Sequence, residues 1–471
     1  MNSESINMNV EVIMKRFTQK RMILSGLSFA VYLFCFHVFI YGNAMAQIGT
    51  NHQLAWGQNS QEIGLSAQLY HSMPLQSLLG LRDPQTDDEW DDWDENWDDV
   101  WTEGGGSRIS AHVRYNRVEG LYLGARMKKD YWIYHCPTKP FLYGLAGYAL
   151  NAKKFEYQIG LETGFFDENR LAVGGEYHHL IDTPDRWVIS DTENALAAFF
   201  LKEDFHDFFT EEGGSGYISQ NLAESFTLSV GFHYNQYDSL KKNTNWSLFG
   251  GKKQFPENPS MNAGEIRSLA GQFTIDTRNS VESPTRGWYV QFEYEHAGDG
   301  MKSDFHFDRF VVDIRRYQSL GYSDGFDFRL RIGSSKGSLP WQKSYHLGGL
   351  STLRGFPYKA LPDGRMFPGG NRMILTQLEY RMGSQDLPDE IGLWILEQFN
   401  IILFADAGWV GYGDPNQSIY KGFKHLTWSD FKSDVGIAIS NQSGNVRLEI
   451  ARRTDTGYKP FTFLFRISRS F

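Results

Sequence analysis

Residues 461–471 read Phe-Thr-Phe-Leu-Phe-Arg-Ile-Ser-Arg-Ser-Phe. Aromatic or aliphatic side chains occupy most odd positions and mainly polar ones the even positions, which predicts a two-faced β-strand. Its apolar row comprises Phe463, Phe465, Ile467 and Phe471. Because the same alternation recurs along most of the chain, we expect one face of each strand to lie in lipid, as in an outer-membrane β-barrel.

The alternation is clearest in four further segments, residues 226–235, 288–295, 326–333 and 446–450. A soluble β-sandwich also alternates, but it does not need a secretory signal, many aromatic residues and a terminal aromatic together. From Ser107 to Phe471, at roughly 22 or 23 residues per strand and connection, the chain holds about 16 strands. The predicted fold is therefore an all-β, transmembrane antiparallel barrel. Residues 180–215 and 237–264 are expected to be longer loops, although residues 195–200 could form a strand.

The N-terminal residues predict export. Four basic residues precede an apolar run from Met22 to Tyr41 and the small-residue pattern Ala44-Met45-Ala46, so residues 1–46 are predicted to be a cleavable signal peptide. The run is also long enough for an uncleaved anchor. After Gln47 no apolar stretch of about 18 residues remains, so strands are expected to cross the membrane.

The net charge bears on the expected partners, and the cysteine content bears on disulfide bonds. Without the four basic and two acidic residues of the signal, 42 basic and 54 acidic residues remain, a net charge of −12. Nucleic acid is therefore not an expected partner. Of the two cysteines only Cys136 follows the signal, which excludes an intrachain disulfide in the processed chain.

Residues 47–106 do not alternate and form an acidic segment rich in Trp. The spacing of Trp90, Trp93, Trp97 and Trp101 would place them on one helical face. This periplasmic segment either docks a partner or caps the pore, or it is a solvated acidic linker, since many like charges resist packing. Both interpretations remain open.

Several ordered motifs carry a family resemblance. Residues 347–356 read Leu-Gly-Gly-Leu-Ser-Thr-Leu-Arg-Gly-Phe; residues 276–279 read Asp-Thr-Arg-Asn, residues 284–288 Pro-Thr-Arg-Gly-Trp, and residues 404–408 Phe-Ala-Asp-Ala-Gly. Together they resemble the BamA/TamA superfamily of outer-membrane assembly and translocation barrels, also called the bacterial surface antigen family. Residues 114–120 also look like the opening strands of several members.

The resemblance implies a 16-stranded barrel with a loop folded into the lumen. Arg354, Gly355 and Phe356 would anchor this loop, with Glu379 and Asp406 as its acidic partners. The alternation predicts independently that both carboxylates point into the lumen, because Glu379 and Asp406 each lie on the polar side of their own alternating segment. A guanidinium can bind carboxylates bidentately, although lumenal charges could also merely solvate one another. Asp276, Arg278, Pro284 and Gly287 are predicted to form a strand-turn motif with a mainly structural role.

The resemblance implies assistance with insertion or translocation of proteins or lipid. An incoming chain would pair at a weak seam between residues 107–115 and 461–471. Because residues 47–106 are too few and too acidic for a convincing POTRA module, the resemblance implies a barrel-only member. Expected partners are outer-membrane lipid, unfolded outer-membrane or secreted proteins and a separate periplasmic partner; no catalytic residues, metal or cofactor are expected.

Two other functions remain open. A passive porin predicts an open lumen rather than one filled by the Arg354 loop. An outer-membrane lipid enzyme is the other alternative, since residues 333–337 match G-x-S-x-G. That match follows a strand but does not lead into a helix, so the context of a nucleophile elbow is missing.

Overall fold

The computed structural model describes residues 109–129, 138–166, 170–321, 324–362, 369–383, 399–455 and 461–471. The predicted signal peptide, the acidic segment of residues 47–106 and Cys136 lie outside these ranges. No helix in the described part of the chain is long and apolar enough to cross a membrane.

The described residues form one antiparallel sheet of 16 strands, in which each strand pairs with its neighbours in sequence. The strands are β1 Ser110–Asn116, β2 Gly120–Met127, β3 Phe141–Ala149, β4 Lys154–Phe165, β5 Leu171–Asp182, β6 Phe209–Ala223, β7 Phe226–Ser239, β8 Gly264–Asp276, β9 Gly287–Ala297, β10 Phe307–Ser319, β11 Gly325–Gly337, β12 Arg372–Met382, β13 Phe399–Gly411, β14 Lys432–Asn441, β15 Arg447–Arg453 and β16 Thr462–Arg466. The predicted all-β fold and its strand number are confirmed.

The two faces of the sheet have the polarity expected in a membrane. On β7 the apolar side chains at 226, 228, 230, 232 and 234 are all exposed, while the polar residues between them are buried. The buried face carries charges that a soluble core would exclude, including Asp313, Arg329 and Asp406. Because apolar side chains point outward and charged ones inward, the outer surface suits lipid and the inner face surrounds a polar lumen.

The connection between β5 and β6, residues 183–208, is helical in part. It contains helix α1, Asp191–Leu196, which a π-helix of residues Ala197–Leu201 continues. The alternative of a strand at residues 195–200 is therefore wrong. Ser190 caps the helix by accepting a hydrogen bond from the backbone N–H of Glu193, and acidic residues occupy its first turn. Both features stabilise a helix start and override the apolar run that suggested a strand.

The two ends of the sheet meet the same helix. No backbone ladder joins β1 to β16 within the described ranges, because the strand order ends at each of them. Helix α1 lies against β1, and its Glu193 pairs with Arg466 of β16 at 2.6 Å. The sheet thus curves until its ends approach one another, without a β1–β16 ladder in the described part of the chain.

The last strand is shorter than predicted. Phe463 and Phe465 are exposed on the outer face, but β16 ends at Arg466, and Ile467 is buried. Phe471 lies 6.5 Å from the ring of Tyr317, on the inner face of β10. The predicted lipid-facing row therefore fails at Ile467 and Phe471. Residues 468–470 are all polar and find partners in the lumen, which draws the end of the chain inward.

Candidate functional site

The loop between β11 and β12 is described over residues 338–362 and 369–371, and these residues fold back into the lumen. Within its described part, isolated bridges pair Tyr345 with Gly370 and Leu347 with Leu361. Gly348 has φ +127°, and a Cβ there would lie 2.4 Å from the carbonyl oxygen of Pro357. Thr352 closes the turn, because its hydroxyl accepts from the N–H of Gly348 at 2.9 Å and donates to the carbonyl of Gly349 at 2.8 Å. The glycines thus let the loop turn sharply enough to present Arg354 to the wall.

Arg354 is fully buried at the end of this turn. Its Nε and Nη2 donate to the two carboxylate oxygens of Asp406 at 2.7 and 2.8 Å, and its Nη1 donates to Glu379 at 2.6 Å. The guanidinium carbon also lies 3.5 Å from the ring centroid of Phe404. The structure therefore brings together the predicted arginine and both predicted carboxylates, in a bidentate geometry that only a guanidinium can adopt.

Three further residues complete the cluster around Arg354. Arg447 donates to both oxygens of Glu379 at 3.0 and 3.1 Å, and Glu449 lies 3.6 Å from both guanidinium groups. Ser470, in the inward-turned C-terminal residues, accepts from Arg354 and Arg447. Sequence reasoning missed these residues as partners. The sequence contained a signal for two of them, because Arg447 and Glu449 occupy the polar side of the alternating strand β15.

Gly355 and Phe356 fit the loop against the barrel wall. A Cβ at Gly355 would lie 2.7 Å from the Cβ of Asp434 and 3.1 Å from the backbone nitrogen of Arg453. Phe356 is buried in an apolar cluster with side chains from the wall, and the Arg453 guanidinium lies over its ring at 4.0 Å. The small residue and the aromatic residue thus make a close approach and an apolar contact beside the ion pairs.

Lys359 joins the same loop to the connection between β5 and β6. Its ammonium lies 2.7 Å from Asp185 and 2.6 Å from Asp207. Burial lowers the pKa of Lys359, but the two carboxylates outweigh that effect and raise it above the ordinary value. A charged contact therefore joins the loop between β11 and β12 to the connection between β5 and β6. No spacing in the sequence indicated this contact.

The strand-turn motif lies apart from this cluster. Arg278 binds Asp276 bidentately at 3.0 and 2.7 Å, and Gly287 has φ +115°, where a Cβ would meet the carbonyl of Thr277. The carbonyl of Pro284 accepts from Arg469 at 2.9 Å. None of the described contacts joins the motif directly to Arg354. Its geometry closes the turn from β8 to β9 and positions the end of the chain.

A polar cavity of about 280 Å³ remains beside the loop. Its basic lining is Arg186, Arg278, Arg309, Arg315, Arg329, Arg331, Lys343 and Arg469. Asp313 accepts from Arg315, Arg329 and Arg331 at 2.6–3.4 Å.

The G-x-S-x-G match, residues 333–337, lies at the end of β11 and leads into a short 3-10 helix, Trp341–Lys343, only after an extended segment. It therefore lacks the strand-to-helix turn of a nucleophile elbow.

Comparisons with known proteins bear on the family and the fold of this chain. Residues 185–471 match the family model described as the Omp85 superfamily domain. The outer membrane protein assembly factor BamA of Nitratidesulfovibrio vulgaris is 24% identical over 329 residues, which are 64% of this chain and 38% of that protein. The chain thus spans well under half the length of this relative.

BamA from Haemophilus ducreyi lacking POTRA domains 1–3 has a TM-score of 0.51 at 14% identity, over 76% of this chain and 70% of that one. CdiB from Escherichia coli has a TM-score of 0.38 at 10% identity, over 78% of this chain and 63% of that one. At 14% identity the similarity to the BamA structure shows a shared fold alone.

Proposed function

This chain belongs to the Omp85 superfamily, an outer-membrane assembly and translocation family, and on that premise we propose that it assists the insertion or translocation of proteins, or of lipid, at the outer membrane. The barrel acts by presenting a strand edge and does not act as an enzyme. The sequence expectations of an export signal in residues 1–46 and a separate periplasmic partner belong to the same proposal.

The observation that carries the proposal is the pair of open strand edges. Within the described ranges β1 and β16 each have one paired neighbour, whereas every other strand has two. An unpaired edge offers a row of backbone N–H and C=O groups that an incoming chain can extend as an added strand. In a membrane such groups need hydrogen-bond partners, and a client strand that pairs with the edge would supply them.

The lumenal loop supports assembly over passive diffusion. Arg354 and Phe356 hold the loop against the barrel wall, Lys359 holds it against the connection between β5 and β6, and a cavity of about 280 Å³ lies beside it. A general porin needs a continuous aqueous path. The Arg354 cluster also braces β12, β13 and β15 close to the unpaired end of the sheet, so these strands stay in register when a client strand pairs at that end.

Deletion of the gene tests the proposed function at the level of the cell. The outer-membrane proteome and surface lipid are quantified against a strain complemented with the intact gene. Loss of many barrel proteins supports a general assembly role, and loss of one surface molecule supports a dedicated translocator. An unchanged profile together with altered uptake of small solutes contradicts the proposal and leaves a porin.

A photocrosslinking experiment tests the edge itself. A photoreactive phenylalanine analogue replaces Val113, an outward residue of β1, or Val230, an outward residue of the doubly paired β7. Purified protein in liposomes then receives a urea-unfolded outer-membrane polypeptide. Crosslinks at position 113 and not at 230 are expected. Equal capture at both positions means that clients do not use the β1 edge.

A further inference from the structure

Four exposed apolar side chains lie together outside the lumen, beyond the end of β1. Leu201 is 49% exposed, Trp246 52%, Leu248 49% and Phe249 65%. The first belongs to the connection between β5 and β6, and the other three to the connection between β7 and β8, residues 240–263. We call these four residues the aromatic patch. A soluble surface rarely groups so many large apolar side chains without a ligand or a membrane to cover them.

The aromatic patch is a built surface. The backbone N–H of Leu248 donates to the carbonyl of Phe199 at 2.8 Å, and that of Phe249 donates to the carbonyl of Phe200 at 2.9 Å. The rings of Phe200 and Phe249 stack at 6.0 Å, and those of Phe199 and Trp246 meet edge to face at 5.3 Å. Two separate connections are thus joined by main-chain bonds and ring contacts, which fixes the apolar side chains in one place.

The patch continues the lipid-facing side of β1. Tyr115 shares the outward side of the strand with Val113, which is 61% exposed, yet Tyr115 is only 7% exposed. It is covered by Phe199 and Trp246, whose rings lie 5.5 and 5.9 Å away, and its hydroxyl donates to the carbonyl of Trp246 at 2.7 Å. The outer face of the barrel therefore runs into the aromatic patch without a polar break at this contact.

Basic residues flank the apolar tip. Residues 241–253 contain Lys241, Lys242, Lys252 and Lys253 and no acidic residue. Lys253 pairs with Glu203 of the connection between β5 and β6, and Lys242 pairs with Glu257 of its own connection. Lys241 and Lys252 are exposed. An apolar tip between lysines matches the boundary of a bilayer, where aromatic rings sit at headgroup level and ammonium groups reach the phosphates.

We propose that the aromatic patch binds the headgroup boundary of an anionic lipid layer beside the open edge of β1. Its continuity with the lipid-facing surface and its flanking lysines favour lipid over a protein occupant. The inference depends on the membrane location of the barrel and not on the identity of any client.

Lipid quenching of a fluorescent label tests the proposal in the full-length protein. Cys35 and Cys136 are replaced by serine, and a nitrobenzoxadiazole label is attached at Phe249→Cys or, as the matched control, at Asn416→Cys, an exposed polar position in the connection between β13 and β14. The proteins are placed in nanodiscs of phosphatidylglycerol and phosphatidylcholine. Headgroup nitroxide lipid should quench the label at 249 and leave the label at 416 bright.

Charge variants separate lipid binding from simple proximity. Lys241→Gln with Lys252→Gln should reduce quenching at 249 in phosphatidylglycerol discs, whereas Lys421→Gln with Lys424→Gln, which changes the net charge equally, should not. Heat-modifiable gel migration checks that each variant is folded. Equal quenching at 249 and 416 overturns the proposal. So does a label at 249 that ignores lipid and responds only to an unfolded client or to a second copy of the chain.

Discussion

Arg354 is a buried cation whose partners lie on several separate strands. Arg354 contacts Asp406, Glu379 and Glu449, and a second cation, Arg447, contacts the last two of these carboxylates. All five side chains are buried. Removing one partner of such a network leaves uncompensated buried charge, which costs about 3–5 kcal/mol. The cluster is therefore sensitive to loss of a single member.

Replacing Arg354 by lysine tests the need for the guanidinium. An ammonium keeps the charge but cannot bind Asp406 through two nitrogens while also reaching Glu379. We expect a lower unfolding temperature, measured by heat-modifiable gel migration, and weaker complementation of the deletion strain. Arg316→Lys is the matched control, because Arg316 lies over Trp288 on the outer face of β10. Equal effects of the two substitutions would contradict a specific role for the Arg354 cluster.

Gly355 provides a purely steric test. A Cβ there would stand 2.7 Å from the side chain of Asp434 and 3.1 Å from the backbone of Arg453, so Gly355→Ala should shift the loop away from the wall. Overpacking of this kind costs about 1–3 kcal/mol. Gly216→Ala serves as the control, since a Cβ on that residue meets no atom within 4 Å. The free energy of unfolding in urea is the measurement, and a loss as large at Gly216 would refute the steric explanation.

At the scale of elements, the connection between β5 and β6 links both ends of the sheet. Glu193 of α1 accepts from Arg466, the last residue of β16, at 2.6 Å and from the hydroxyl of Ser468, just after the strand, at 2.8 Å. The neighbouring Asn194 donates to Asp204 at 2.9 Å, and Asp204 accepts from the backbone N–H of Arg117, directly after β1, at 2.8 Å. One short helix thus restrains β16 directly and β1 through one carboxylate.

Glu193→Gln should loosen the end of the sheet. The amide keeps the shape of the side chain but removes the charge that opposes the buried guanidinium of Arg466. We expect faster hydrogen exchange in peptides covering residues 461–471, with little change in β7. Glu203→Gln is the control, because Glu203 lies in the same connection but pairs with Lys253. Unchanged exchange in the C-terminal peptide would show that α1 does not hold β16.

The contact between the two lumenal connections should depend on pH. The folded pKa of Lys359 is raised, so its contribution to stability is fully present below the unfolded pKa of about 10.4 and is lost as the pH rises through the still higher folded value. Alkaline titration should therefore expose residues 338–371 to limited proteolysis. In Lys359→Gln the same cleavage should occur at neutral pH. A pH profile shared by the two proteins would contradict this assignment.

For the whole molecule, the inward-folded loop predicts a barrel that conducts poorly. In planar bilayers the intact protein should show low conductance, because the loop occupies the lumen beside a cavity of about 280 Å³. Deletion of residues 351–357 should raise the conductance, whereas deletion of residues 414–418, in another connection, should leave it low. A large steady conductance of the intact protein would favour the porin.

The amino-acid sequence by itself determined the strands and their faces. Side chains alternate across a strand through local geometry alone, so the exposed row of β7 and the inward direction of Glu379 and Asp406 follow from parity. The family resemblance carried by the ordered motifs also predicted the inward-folded loop and its Arg354. The same reasoning failed at Ile467 and Phe471, because polar partners in the lumen outweighed the alternation of the last residues.

Only the tertiary structure decided which buried charges meet. Arg354 and Ser470 are separated by 116 positions, and Arg466 and Glu193 by 273. No local pattern encodes such pairs, since they depend on the register of many strands and on the curvature that brings the sheet ends together. The helix at residues 191–196 has the same origin in part, because its Glu193 pairs with Arg466, a partner that comes close only after the sheet has curved.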